Sequence, residues 1–251
     1  MNAISIVLIT KDAALSLKKC LDSLQRFDDV TIYDNGSTDE TISIAERFDN
    51  VTIHTGPFLG FGKSKAHAAT LAKNDWVFSL DSDEPMSPEL VDELLTMPLE
   101  PQNIYQVRRD NYYHDKHIKC CGWYPEVIVR LYNRTMTNYD DAMVHEKVDE
   151  KSLHLQKLTH PIMHFSFFSV ADFMNKIQKY SEIYANDHQG KKSASIPKAI
   201  LRGKSMFFKS YLIKGGWKCG FEGFVISFFA GLGTTVKYLK LREKNLYHSK
   251  N

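Results

Sequence analysis

At 251 residues, 43% hydrophobic and 25% charged, the chain is long and apolar enough to bury a full core, which excludes disorder over most of its length. Four cysteines, Cys20, Cys120, Cys121 and Cys219, are too few and too scattered for a disulfide framework, and adjacent Cys120-Cys121 is no zinc spacing, so reduced thiols in a cytoplasm are expected. The formal charge of +2 conceals a split: residues 191–251 carry 13 Lys/Arg against Glu222 and Glu243, a net +11, whereas 1–190 carry 19 against 28 Asp/Glu, a net −9, which directs the C-terminal end toward an anionic partner.

The apolar start, from Met1 to Ile9, lacks a basic leader and a cleavage site and reads as a first strand, Ile4–Ile9. Leu17, Cys20, Leu21 and Leu24 follow at helical spacing, then a strand at Val30–Tyr33. A second round brings a helix face at Ile42, Ala45 and Phe48, a strand at Val51–His54, an Ala-rich helix around Lys65–Ala72 and a strand at Trp76–Leu80. This alternation predicts an α/β fold, a Rossmann-like and mostly parallel sheet with helices on both faces.

Ligands of such sheets bind beyond the carboxyl ends of the strands. Here those ends carry Thr10-Lys11, the run Asp34 to Asp39, Gly60 to Lys63, and Asp81 to Glu84. In extended backbone Asp81 and Asp83 point to one side, so both can face a hard cation such as Mg²⁺ or Mn²⁺ that completes its shell with phosphate and water. The competing reading is a polar turn leading to a helix start at Ser87-Pro88. Asp34 is placed to accept hydrogen bonds from a ligand, while Gly36 permits the turn and Ser37 or Thr38 can cap the next helix.

Farther along, Ile104–Arg109 and Val127–Tyr132 are strand candidates. Phe173, Ile177, Tyr180 and Tyr184 share a helix face, and two helices follow at about Lys198–Ile213 and Gly223–Leu241. Within the last, the apolar run Phe224–Val236 is short of the roughly 20 residues a membrane crossing takes, and so is expected to lie at an interface.

The order Ile-Val-Leu-Ile-Thr-Lys, Tyr-Asp-Asn-Gly-Ser-Thr-Asp-Glu-Thr, Gly-Phe-Gly-Lys-Ser-Lys and Trp-Val-Phe-Ser-Leu-Asp-Ser-Asp-Glu resembles family 2 glycosyltransferases of GT-A fold. The resemblance runs on through Gly122-Trp123-Tyr124-Pro125-Glu126, Arg130-Leu131-Tyr132, Val144-His145-Glu146, His164 and the basic C-terminal helices, and is greatest to bacterial lipopolysaccharide-core glucosyltransferases that add β-linked glucose to heptose. It implies a catalytic domain over 1–190, with a nucleotide-sugar half at 1–100 and an acceptor half at 101–190, and a basic helical appendage over 191–251.

By position, the resemblance implies that Thr10 and Asp34 contact the nucleoside, with Asp34 at the uracil edge. Lys63 or Lys65 approaches the diphosphate, Ser82 lies against the donor, and Asp81 and Asp83 serve a divalent metal. An inverting transfer needs a base for the acceptor hydroxyl. Glu146 is the candidate, in place of the family's common Glu-Asp setting; by composition alone it sits in a solvated charge cluster. His164 is either a core histidine or a further metal ligand. Trp123 and Tyr124 either stack on a sugar or belong to the core, and Arg130 meets a phosphate or pairs with an acid.

The implied substrates are a UDP-sugar and a lipid-linked core oligosaccharide. Aromatics interleaved with Lys204, Lys209, Lys214 and Lys218 suit the anionic inner face of an inner membrane, although the same aromatics can instead pack inward. No nucleic-acid module is evident. The rival readings are a same-fold transferase acting on a capsule, polysaccharide or protein acceptor, and a noncatalytic membrane-binding protein.

Overall fold

The structure is a computed structural model describing residues 1–142, 146–150 and 152–247. In chain order the elements are β1 (Ile4–Thr10), α1 (Ala14–Asp22), β2 (Asp29–Asp34), α2 (Thr41–Ala45), β3 (Val51–Thr55), α3 (Phe61–Leu71), β4 (Trp76–Asp81), α4 (Pro88–Thr96) and β5 (Asn103–Tyr113). There follow β6 (Lys116–His117), β7 (Glu126–Asn133), β8 (His154–Lys157), β9 (Ile162–Phe167), α5 (Val170–His188), α6 (Ile196–Phe208) and α7 (Gly220–Tyr247). A π-helical turn (Lys209–Ile213) and a 3₁₀ turn (Gly216–Cys219) separate the last two helices.

The chain divides into two compact units, Met1–Asp110 with Glu126–Phe165, and residues 111–125 with the chain from Ser166 onward. In the first unit β1, β2 and β4 are almost wholly buried, because helices cover both faces of this part of the sheet. Strands β3, β2, β1 and β4 pair in that order and in parallel, and β4 then meets β7 and β7 meets β5 antiparallel. The chain thus winds outward from β1 to β3 and then returns to β1's other edge. That reversal opens a crevice at the carboxyl ends of β1 and β4. The register sets Thr10 opposite Asp34 and Ile9 opposite Asp81, so three polar strand ends share one edge. The α/β expectation and its GT-A sheet are borne out.

The second unit is helical. Ser169 and Asp172 form a reciprocal capping box that starts α5, and Ser195 caps α6 just ahead of Pro197. A Cβ on Gly203 would lie 1.9 Å from Thr235 Oγ1, so only glycine permits α6 to approach α7 this closely. Phe173 of α5 stacks on Phe229 of α7 with 5.2 Å between centroids, and Tyr184 meets Tyr238 at 5.9 Å.

Three expectations are corrected here. The chain does not divide between residues 190 and 191: α5 packs with α7, and residues 111–125 join the same unit. Cys120 and Cys219, 99 residues apart, form a disulfide, while Cys20 and Cys121 are free and buried. Sequence spacing hid that pair because the backbone bond from Cys121 N to Lys214 O brings the 111–125 segment to the turn preceding α7. Finally, the short apolar run lies inside a 28-residue helix, about 42 Å long, and residues Gly216–Tyr247 are long and apolar enough to cross a membrane.

Candidate functional site

The turn after β2 is built around Asp34. Thr10 Oγ1 donates to its Oδ1 at 2.9 Å, Gly36 N and Ser37 N donate to Oδ2 at 2.9 and 2.8 Å, and the Ser37 hydroxyl adds a fourth bond. Burial pushes the Asp34 carboxyl up, but the bonds from Ser37, Thr10 and Gly36 outweigh it and hold the group below the usual carboxylate range. Its anionic form therefore shapes the loop that borders the crevice. Neither Ser37 nor Thr38 caps α2; Asp39 receives the Thr41 N–H and also the Ala14 N–H that opens α1.

Asp81, at the end of β4, is the centre of a chain of charges. Lys65 Nζ lies 3.0 Å from its Oδ1 and Arg130 Nη2 2.7 Å from its Oδ2. Lys65 also reaches Glu146 Oε1 at 2.8 Å. On the other side Arg130 bonds both oxygens of Glu84, at 2.8 and 2.7 Å, and Arg109 joins Glu84 (3.0 Å) to a bidentate pair with Glu126. Three cations face four carboxylates, and Lys65, Arg130 and Glu84 are buried.

Burial alone would push the Asp81 carboxyl up, but Arg130 and Lys65 hold it well below the usual range. Conversely, burial would lower the Lys65 ammonium, and Asp81 reverses that, raising it. Both groups are ionised. Arg130 Nε is buried with no hydrogen-bond partner among the described residues, an unpaired donor enclosed within the cluster.

Asp83 faces elsewhere. Phe165 N donates to Asp83 O (3.1 Å) and Met163 N to Pro85 O (3.3 Å), so β9 runs beside the turn and sets His164 Nε2 3.4 Å from Asp83 Oδ2. Among the described residues, no three His, Cys, Asp or Glu side chains gather as a metal-ligand set. The expectation that Asp81, Asp83 and His164 share one ion is therefore refined. Asp83 and His164 stand side by side, whereas Asp81 is engaged by two cations.

Glu146 is far from Lys65 in sequence and reaches it because of Gly62. Gly62 N donates to Ala142 O at 3.0 Å, and a Cβ at Gly62 would stand 2.0 Å from Asp140 O. Glycine is thus what admits the 140–142 backbone onto α3. Gly62→Ala must displace that loop and with it Glu146. A misplacement near 1 Å is expected to lower turnover about 100-fold, read as kcat on a UDP-sugar, and the clash with backbone is expected to lower the melting temperature as well.

The remaining expected positions divide clearly. Lys63 is about half exposed and lies 3.6 Å from Asp141, away from the Asp81 cluster, so Lys65 is the lysine of the site. Arg130 is part of it as well, paired with acids. Ser82 is half-buried in the turn after β4. Trp123 and Tyr124 belong to the second unit, where Trp123 stacks on Phe167 at 5.4 Å and Tyr124 meets the edge of His117. Val144 and His145 lie outside the described residues.

Sequence reading passed over Glu84, Arg109 and Glu126. A signal was present: Arg108-Arg109 interrupts an apolar strand, and Glu84 closes the acidic run that starts at Asp81. Cys20 lies under the same turn, its thiol 3.7 Å from Asp81 O, and burial together with the charges of Glu84, Asp83 and Asp81 pushes it well up, leaving it inert.

Known proteins are similar to this chain in sequence and in fold. The model of the family described as Glycosyl transferase family 2 matches residues 5–153. The chain is 29% identical, over 97% of its own length and 87% of the relative's, to an uncharacterized glycosyltransferase of Rickettsia bellii. It is 26% identical, over 88% and 84%, to the lipopolysaccharide core biosynthesis glycosyltransferase LpsC of Rhizobium meliloti. Among solved structures, S. aureus TarS 1–349 in complex with UDP aligns over 99% of this chain and 92% of that one, with a TM-score of 0.51 and 14% identity, which shows a shared fold.

Proposed function

This chain belongs to glycosyl transferase family 2, and on that premise we propose that it is an inverting, divalent-metal-dependent hexosyltransferase moving glucose, or another hexose, from a UDP-sugar to an inner-core heptose of lipopolysaccharide. The kinship to LpsC supports the acceptor class. The observation that carries the chemistry is the charged chain Asp81–Lys65–Glu146, centred on the buried lysine, at the carboxyl edge of the sheet. It joins a cation suited to a phosphate with a carboxylate suited to a hydroxyl proton.

In the proposed reaction the acceptor hydroxyl gives its proton to Glu146 as its oxygen attacks the anomeric carbon, and the bond from that carbon to the diphosphate breaks on the opposite face. Negative charge then grows on the diphosphate oxygen. Lys65 meets it, with Arg130 holding Asp81 beside it, and a divalent ion, which Asp83 and His164 would hold, would supply further charge neutralisation. Because Lys65 also binds Glu146, the arriving diphosphate competes for the lysine and releases the carboxylate to act as base.

The turn bordered by Thr10 and Asp34 is proposed to hold the uridine. The enzyme is proposed to act as a peripheral protein on the cytoplasmic face of the inner membrane, where a lipid-linked acceptor would be assembled. The Cys120–Cys219 bond runs against that placement, since such bonds are rare in reducing compartments.

Titrating UDP with and without Mn²⁺ tests the donor half: the metal is expected to tighten binding about tenfold or more in wild type and to have no effect in Asp83→Ala. Equal affinity with and without metal in the wild-type protein overturns the metal reading. Transfer from UDP-glucose to a peptide or capsule acceptor, with none to heptose-bearing core lipid, overturns the acceptor.

A further inference from the structure

Apolar side chains remain exposed at the end of the helical unit where α6 turns into α7. Leu212, Ile213, Trp217 and Phe221 are 55, 81, 56 and 67% exposed. Nearby on the same helices, rings are in contact, Tyr211 with Phe224 at 6.0 Å and Phe224 with Phe228 at 6.1 Å. A soluble monomer rarely leaves so much contiguous aromatic surface in water.

The charge that this segment presents at the apex is positive. Lys209, Lys214 and Lys218 are exposed beside it, and residues 191–221 contain no Asp or Glu. The first acid beyond, Glu222, is held by Lys116 at 2.7 Å. An apolar apex within a predominantly basic collar complements an anionic lipid surface, whose headgroups attract the lysines while the acyl boundary takes the rings.

The length of α7 raises the alternative that this helix crosses the bilayer. Its inner stripe is occupied: Ile226, Phe229, Tyr238 and Leu241 are buried, with Phe229 and Tyr238 against α5. Lys240 and Lys244 pair with Glu182 of α5 at 3.3 and 2.7 Å. Crossing would take those charges and that bundle apart.

We infer that the turn between α6 and α7 inserts Leu212, Ile213, Trp217 and Phe221 into the headgroup–acyl boundary of an anionic bilayer while α7 stays in the helical bundle. This deepens the proposed membrane placement and rests on no step of the transfer chemistry.

The test uses the full chain with vesicles of phosphatidylcholine alone and of an equal mixture with phosphatidylglycerol. Wild type is expected to co-sediment with the anionic vesicles, to be released by high salt, and to shift its tryptophan emission to the blue. Ile213→Asp/Phe221→Asp is expected to bind about 30-fold more weakly or worse, and Lys209→Gln/Lys218→Gln about tenfold more weakly on anionic vesicles only.

Both double variants are expected to melt and to bind UDP as wild type does, which separates lost docking from lost fold. Their transfer to a soluble, delipidated acceptor reports the chemistry independently. The inference is overturned if wild type ignores anionic vesicles, if the Asp variant binds as well as wild type, or if bound protein resists alkaline carbonate as a spanning helix does. A concentration-dependent dimer that the Asp variant dissociates overturns it too, because a second copy then covers the apex.

Discussion

Asp81→Ala is expected to abolish sugar transfer and to weaken the fold, whereas Asp83→Ala abolishes transfer and leaves the fold nearly intact. The two residues are separated by one serine, yet their surroundings differ in kind. Removing the Asp81 carboxylate leaves two buried cations, Lys65 and Arg130, without a shared partner. Breaking a buried ion pair costs about 3–5 kcal/mol. The lower end applies here, because Lys65 keeps Glu146 and Arg130 keeps Glu84.

Asp83 lies 3.4 Å from His164 with its side chain 28% exposed, so its loss is expected to cost on the order of 1 kcal/mol or less. Melting both variants by circular dichroism, beside a turnover assay, reads the contrast. Equal melting temperatures would show that the Asp81 cluster contributes nothing to stability.

The acid response follows from the same cluster. The folded Asp81 carboxyl is held well below its unfolded value of about 3.9, so its stabilisation is complete above that pH. It is lost as pH falls from there through the folded value. Asp81→Ala is therefore expected to flatten stability against pH on the acid side.

Glu146→Gln is expected to lower kcat by about 10²- to 10⁴-fold, the usual contribution of a positioned base. Glutamine preserves size and can still accept a bond from Lys65, which retains Asp81 as its counter-charge. The melting temperature and the affinity for UDP are thus expected to stay close to wild type. Single-turnover transfer from UDP-glucose makes the measurement, and a rate within tenfold of wild type assigns the proton to another group.

Much of the first unit was legible in the chain because its signals are local. Apolar runs such as Ile4–Ile9 and Trp76–Leu80 identify buried parallel strands, and the acidic and Gly-rich residues following them mark the carboxyl edge. The positions of Thr10, Asp34 and Asp81 on one edge follow from that pattern, and the register confirms the placement.

What each charged group does there was decided only by the tertiary structure. Lys63 and Lys65 are equivalent in sequence, but two residues along a helix lie about 200° apart, so one faces the 140–142 loop and water while the other enters the cluster. Whether Asp81 and Asp83 act together depended on Arg130, 49 residues away, and on the backbone of β9. The Cys120–Cys219 bond and the affiliation of α5 likewise turn on segments brought together from afar. Residue type and periodicity report what a segment buries against its own neighbours; counter-charge, pairing and exposure are set by whichever distant part of the chain arrives beside it.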